Sequence, residues 1–232
     1  TSSLVGSEMC IRDRGRIIEN IRISNTVDAY AVNGWESMKL ENHSGIVDNY
    51  RFPKGDPEVM ARYNAPLYLA VKMNRKVVST GDTTLVDTYI VNEKNLKGSY
   101  ILNLVAKDES GNVVASHKER VTVKGGNDYG QCLQSGWAFI PKSKGYTRIE
   151  ASLLKGKTEL VKGDDLLFAV ELNTKGITTR GSVADTTGAL VNFLRGVGME
   201  VPVYKGGTPE GDYLLVGAYE PTQWGSGCLL YT

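Results

Sequence analysis

The side chains best suited to gripping a polar ligand gather early in the chain. Asn33, Trp35 and His43 fall in one short stretch, with Glu36 and Glu41 between them. An indole face can lie flat on the apolar face of a ring, a side-chain amide can bond hydroxyls on both their donor and acceptor sides, and a carboxylate can accept from them. Two carboxyls held a few ångströms apart could also divide acid and base work. Glu36 directly follows Trp35, however, and neighbouring residues of a strand point to opposite faces. Glu36 is therefore expected to point away from whatever Trp35 faces, and no catalytic residue is assigned. Trp35 itself reads equally well as a ligand platform or as plain core packing, whereas His43 reads first as a solvated loop residue and only second as one lining a pocket mouth.

Metal and redox chemistry have little to build on. His43 and His117 are the only histidines and sit in different segments, which leaves no histidine cluster with ligand spacing. Of Cys10, Cys132 and Cys228, two lie near the ends, so a lone Cys132 offers neither a disulfide framework nor a CxxC site. It is expected to be a small buried hydrophobe. No cofactor is implied. With a net charge of +1 and charged residues at 23%, the composition carries no basic footprint for nucleic acid. No apolar run nears the roughly 18 residues of a membrane span.

The elements that must position these residues change character twice. Over 15–64, Ile17, Ile18, Ile21 and Ile23 come close to helical spacing and read as the end of a helix. Ala29–Asn33 is an apolar strand candidate that runs into Gly34 and a long polar loop. Asp56-Pro57 then supplies an N-cap and a first helical residue for Glu58–Tyr63. Strand, long loop and helix in this order suit a βα unit of a barrel. One such unit cannot close a barrel, so 65–172 is expected to be the protected part of the chain.

From 65 to 172 the period becomes two. Tyr100, Leu102, Leu104 and Ala106 share a face, as do Glu119, Val121 and Val123, and Ile149, Ala151 and Leu153. Strands are expected near 67–73, 76–79, 84–92, 99–107, 112–124, 130–140, 146–154 and 166–172, with Asp108–Asn112 as a hairpin loop and Lys155–Asp165 as a solvated one. So many strands with regular turns and no strong helix indicate an immunoglobulin-like sandwich. Trp137 and Tyr129 could be stacking platforms, but filling core or interface is the stronger reading. Over 173–227, a short strand at Gly181–Ala184, a helix at Thr186–Val197 and strands at Val201–Tyr204 and Tyr213–Gly217 begin a Rossmann-like or flavodoxin-like α/β unit. Its glycines form no G-x-G-x-x-G after a strand, so no nucleotide site is assigned. The expected fold class is thus mixed and mainly β: a sandwich flanked by a partial TIM-barrel βα unit and a partial α/β unit.

Asp28-Ala-Tyr-Ala-Val-Asn-Gly-Trp-Glu36, Gly45-Ile-Val-Asp48 and Arg51-Phe-Pro-Lys-Gly-Asp-Pro57 resemble the last βα unit of the barrel in glycoside hydrolase family 2, which holds β-galactosidases, β-glucuronidases and β-mannosidases. Tyr63–Lys72, Tyr89–Gly98 and Gly125–Gly130 resemble the sandwich that follows the barrel in a bacterial branch, and the α/β start resembles the domain after it. The resemblance implies a retaining glycosidase acting on β-linked sugars. Trp35 would end strand eight facing the sugar, with Asn33 and His43 also binding substrate. It further implies that the two catalytic glutamates, at the ends of strands four and seven, precede Arg16 and lie outside this stretch. A carbohydrate substrate is then the partner of a longer parent, placed by family habit in the periplasm or exterior of a bacterium. Nothing in the pattern specifies an oligomeric state. The alternative is a non-catalytic carbohydrate-binding or structural protein built on the sandwich. Residues 1–14 and 228–232 resemble sequencing-adapter DNA translated in frame, which would place the natural sequence between about Gly15 and Gly227.

Overall fold

The computed structural model describes residues 14–27, 29–31, 36, 46–48, 50–172, 177–209 and 211–217. The chain is mainly β and divides into two compact units, Thr1–Val170 and Glu171–Thr232.

In the first unit, alternation sets the architecture. Strands β1 (Leu67–Met73), β3 (Thr84–Asn92) and β6 (Gly130–Phe139) form one antiparallel sheet in the order β1-β3-β6. Strands β2 (Val77–Ser79), β4 (Gly98–Lys107), β5 (Val113–Val123), β7 (Gly145–Lys155) and β8 (Thr158–Val170) form a second in the order β2-β8-β7-β4-β5. The inward residues of both sheets make one apolar layer. Leu69, Val86 and Ile90 from the first sheet meet Leu102, Leu104, Ile149, Leu153 and Leu167 from the second, all buried. Each such side chain contributes about 1.5–3 kcal/mol on burial. Gly163 of β8 lies close against β1 of the other sheet: a Cβ there would lie 1.9 Å from the Leu69 carbonyl oxygen.

The strand limits follow the alternation closely, with one correction. The solvated hairpin expected at Lys155–Asp165 is confined to its exposed tip, 155–159. Only Gly156 and Lys157 turn, and β8 already begins at Thr158. Its two aspartates are engaged: Asp164 accepts from Arg62 at 2.9 Å and from Arg148, and Asp165 from Arg16 at 3.1 Å and from Lys76. Cys132 is a second correction. It is exposed rather than buried, because it sits opposite Tyr89 on β3, off the face that carries the core.

The N-terminal segment lies on the outer face of the small sheet. Helix α1 (14–24) buries Gly15, Ile18, Glu19 and Arg22, a stripe at helical spacing, while Ile17 is 58% exposed. The isoleucine run therefore marked the helix but not its buried face. Helix α2 (Pro57–Tyr63) starts at Asp56, whose carboxylate accepts from Glu58 N as an N-cap, with Pro57 in the first turn. Ile18, Ile46, Met60 and Tyr63 pack with Tyr68, Ala70 and Val91 in a second apolar cluster.

Two buried charges fasten α1 there. Glu19 accepts from the Tyr68 hydroxyl at 2.6 Å and from Lys72 Nζ at 2.7 Å. Burial, reinforced by the neighbouring Glu19 charge, pushes the Tyr68 hydroxyl far above its ordinary value and keeps it a donor. Arg22 donates to the Tyr63 carbonyl at 2.5 Å, the Ala65 carbonyl at 2.8 Å and Glu93 Oε1 at 2.7 Å.

In the second unit, β9 (Gly181–Ala184) pairs in parallel with β10 (Tyr213–Val216), and α3 (Ala189–Gly196) follows β9. Val203 adds a parallel bridge to Val183, so the expected strand at Val201–Tyr204 shrinks to one bridge with flanking hydrogen bonds. The helix begins three residues later than its apolar spacing suggests, because Asp185 and Thr187 form the turn before it.

Candidate functional site

Trp35, Asn33, His43 and Glu41 lie outside the described residues, so the site is built from what frames them. The expected strand Ala29–Asn33 does not form over its described part, 29–31, where the Tyr30 hydroxyl instead donates to Asn64 Oδ1 at 2.7 Å, beside the end of α2. Glu36 makes a parallel bridge to Val47, which bridges antiparallel to Pro53. The return from Ile46 to Lys54 is tight: Lys54 N donates to the Ile46 carbonyl, while the Asp48 carboxylate accepts from Tyr50 N and Phe52 N, each at 2.9 Å. An aspartate that bonds backbone groups ahead of it holds such a turn. Buried Ile46 anchors the return to the α1–α2 cluster.

Glu36 is paired rather than poised. Arg51 Nε approaches its carboxylate at 3.7 Å, with both side chains well exposed, an arrangement worth at most about 1 kcal/mol. A retaining glycosidase needs two carboxyls about 5–5.5 Å apart, and Glu36 has an arginine as its charged neighbour. Among the described residues no group of three or more His, Cys, Asp or Glu side chains is arranged to hold a metal ion.

Of the two later aromatics, Trp137 is partly buried against the main core. It stacks on His117 at 6.1 Å between centroids and tilts against Phe139 at 6.0 Å. Tyr129 is different. It is 51% exposed and lines a cavity of about 320 Å³ between the end of α1, residues Asn25, Val27, Ala29 and Tyr30, and the end of β3. Arg22, Asn25, Tyr30 and Glu93 line it too. Residue-by-residue reading missed Arg22 and Glu93, which look like ordinary solvated charges. The available signal was the four-residue step from Ile18 to Arg22, which puts the arginine on the buried stripe.

In the second unit the end of β9 is where a phosphate would be cradled by the N-terminus of the following helix. The chain fills that place itself. The Asp185 carboxylate accepts from Leu190 N at 2.6 Å, Val191 N at 3.2 Å and both the N–H and hydroxyl of Thr187. Burial works to raise this carboxyl, but the bonds from Thr187, Val191 and Leu190 outweigh it and hold it below the ordinary aspartate value. A bound anion at that helix end would have to displace it.

No family model matches the chain, and no curated protein matches it. Among solved structures it is similar to a glycosyl hydrolase family 2 member from Bacteroides cellulosilyticus DSM 14838, at 15% identity and a TM-score of 0.36, over 50% of this chain and 16% of that one. It is similar to Bacteroides uniformis β-glucuronidase 2 covalently bound to cyclophellitol-6-carboxylate aziridine, at 14% identity and a TM-score of 0.35, over 51% of this chain and 16% of that one. It is also similar to the CARDB domain of a Pyrococcus furiosus protein in complex with di-metal ions, at 15% identity and a TM-score of 0.31, over 45% of this chain and 87% of that one. The chain thus spans 16% of the length of either glycosidase. At TM-scores of this size the likeness carries no weight for function.

Proposed function

We propose that this chain is part of a retaining, β-galactosidase-like glycoside hydrolase of family 2 type that acts on β-linked sugars. It contributes one edge of the sugar pocket and two accessory units, while the catalytic glutamates belong to earlier barrel strands. In this reading 15–64 ends a TIM barrel, 65–172 is an immunoglobulin-like sandwich and 173–227 starts an α/β domain. Trp35 stacks on the sugar ring, and Asn33 and His43 bond its hydroxyls. The parent meets its carbohydrate in the periplasm or outside a bacterial cell.

The observation that carries the reading is order along the chain. An N-capped helix is followed by two sheets sharing one core, and these by a parallel β-α-β unit. These follow one another as the motifs around Trp35, Tyr63–Lys72 and Gly125–Gly130 imply. The position of Glu36, paired to Arg51, supports placing the carboxylate pair elsewhere. The second reading, a non-catalytic carbohydrate-binding or structural protein, is favoured by the tyrosine-lined cavity, which needs no catalytic pair.

Expressed alone, the chain should not hydrolyse a chromogenic β-galactoside. Hydrolysis abolished by Glu36→Gln would overturn the placement of the catalytic pair. The reading frame upstream in the parent genome separates the two readings. Two glutamates at the ends of barrel strands four and seven support the hydrolase, whereas further sandwich repeats support the binding module.

A further inference from the structure

We infer that the cavity beside the end of α1 is a binding site for a single neutral sugar residue. The inference does not rest on the catalytic reading, since the cavity uses none of the residues assigned there.

The walls are built rather than incidental. Asn25 takes a left-handed backbone conformation (φ 55°) at the end of α1. Its side-chain amide donates to the Gly130 carbonyl, and its oxygen accepts from Gly130 N at 2.7 Å. A Cβ at Gly130 would meet the Ile23 backbone at 2.5 Å, so only glycine permits this approach. That bracket fixes Tyr129 next to the cavity. Tyr30 is fixed through Asn64 on the other side. Arg22 forms part of the lining with only 5% of its side chain exposed, and holds Glu93 at 2.7 Å.

The chemistry of these groups is selective. The arginine and the glutamate compensate each other, so the cavity favours neither an anion nor a cation. Glu93 offers its second carboxylate oxygen, and Tyr129 its hydroxyl, with no partner among the described residues. Both can bond hydroxyl groups. The half-exposed rings of Tyr30 and Tyr129 supply flat apolar faces, which suit the C–H face of a pyranose. At about 320 Å³ the cavity sits at the small end of ligand pockets, roughly 300–1,000 Å³, which fits one ring rather than a chain.

The test is a ¹H–¹⁵N NMR titration of the whole chain with methyl β-D-galactopyranoside, methyl β-D-glucopyranoside and D-glucuronate. Saturable millimolar shifts centred on Asn25, Glu93 and Tyr129 are expected for a neutral glycoside, with glucuronate weaker because its carboxylate would lose hydration where Arg22 is already paired with Glu93. Tyr129→Ala should weaken binding about fivefold, with Tyr129→Phe restoring most of it. Lactose assigns the source: binding like the methyl glycosides points to chain ends, exclusion points to free monosaccharides, and either supports the site. Absence of saturable shifts at these residues would overturn the inference, as would undiminished binding by Tyr129→Ala or equal binding of glucuronate. Shifts confined to 33–43 would overturn it while supporting the proposed function.

Discussion

Replacing Arg22 by alanine tests whether the N-terminal helices and the two sheets form one cooperative body. The guanidinium is almost wholly buried, and its three hydrogen bonds run to the Tyr63 and Ala65 carbonyls and to Glu93. Truncation leaves two carbonyl oxygens at the α2–β1 junction without this donor. Each buried polar group left unpaired costs about 1–3 kcal/mol. Glu93 is 44% exposed on its side chain, so water can take over its bond and it adds little. The expected loss is therefore about 2–6 kcal/mol, a large share of the 5–15 kcal/mol that holds a typical domain. Arg22→Lys should recover only part of this, because an ammonium cannot reproduce the planar fork that spans two carbonyls and a carboxylate.

The assay is urea unfolding followed by tryptophan fluorescence and far-ultraviolet circular dichroism, with hydrogen exchange read residue by residue. A single body predicts a lower midpoint with an unchanged slope. It also predicts that amides of α1 and α2 lose protection together with those of β1 and β3. If Arg22→Ala leaves the midpoint within about 0.5 kcal/mol of wild type while only α1 loses protection, the helix is a detachable flap. The claim that buried Glu19 and Arg22 weld it to the sheet would then be wrong, and 65–172 would stand as the protected unit on its own.

Two further outcomes follow from the geometry. Gly163→Ala should destabilise the first unit by about 3 kcal/mol or more, measured by the same unfolding curve. The new methyl would sit 1.9 Å from the backbone of Leu69, which the β1–β3 ladder prevents from moving aside. A midpoint equal to wild type would refute that close approach. In the second unit, the folded Asp185 carboxyl lies below its ordinary value, so its contribution to stability is present above the unfolded value of about 3.9. That contribution is lost as the pH falls through the folded value. Asp185→Asn should therefore lower the hydrogen-exchange protection of α3 at pH 7, with the gap to wild type closing in acid; a gap that persists unchanged there would refute the assignment.

What was legible in the sequence tracks how local the determining physics is. Strand positions were readable because alternation is a property of adjacent residues: Tyr100, Leu102, Leu104 and Ala106 each face the core as spaced. Asp56-Pro57 was readable because an N-cap acts within one turn. The failures are non-local. Nothing adjacent to Asp164 and Asp165 reveals that Arg62 and Arg16, about a hundred residues or more earlier, neutralise them. Composition alone makes that stretch read as solvated. Cys132 reads as a buried hydrophobe by residue type, but its face is fixed by register: pairing with Tyr89 turns it outward, and a slip of one residue would have buried it. The same reasoning bears on the site. Arg22 and Glu93 look like surface charges until the fold brings them within 2.7 Å at the edge of a cavity that Tyr129 joins from much further along the chain. A ligand site assembled from segments so far apart leaves no contiguous motif, whereas Asn33, Trp35 and His43 were picked out because they stand in one.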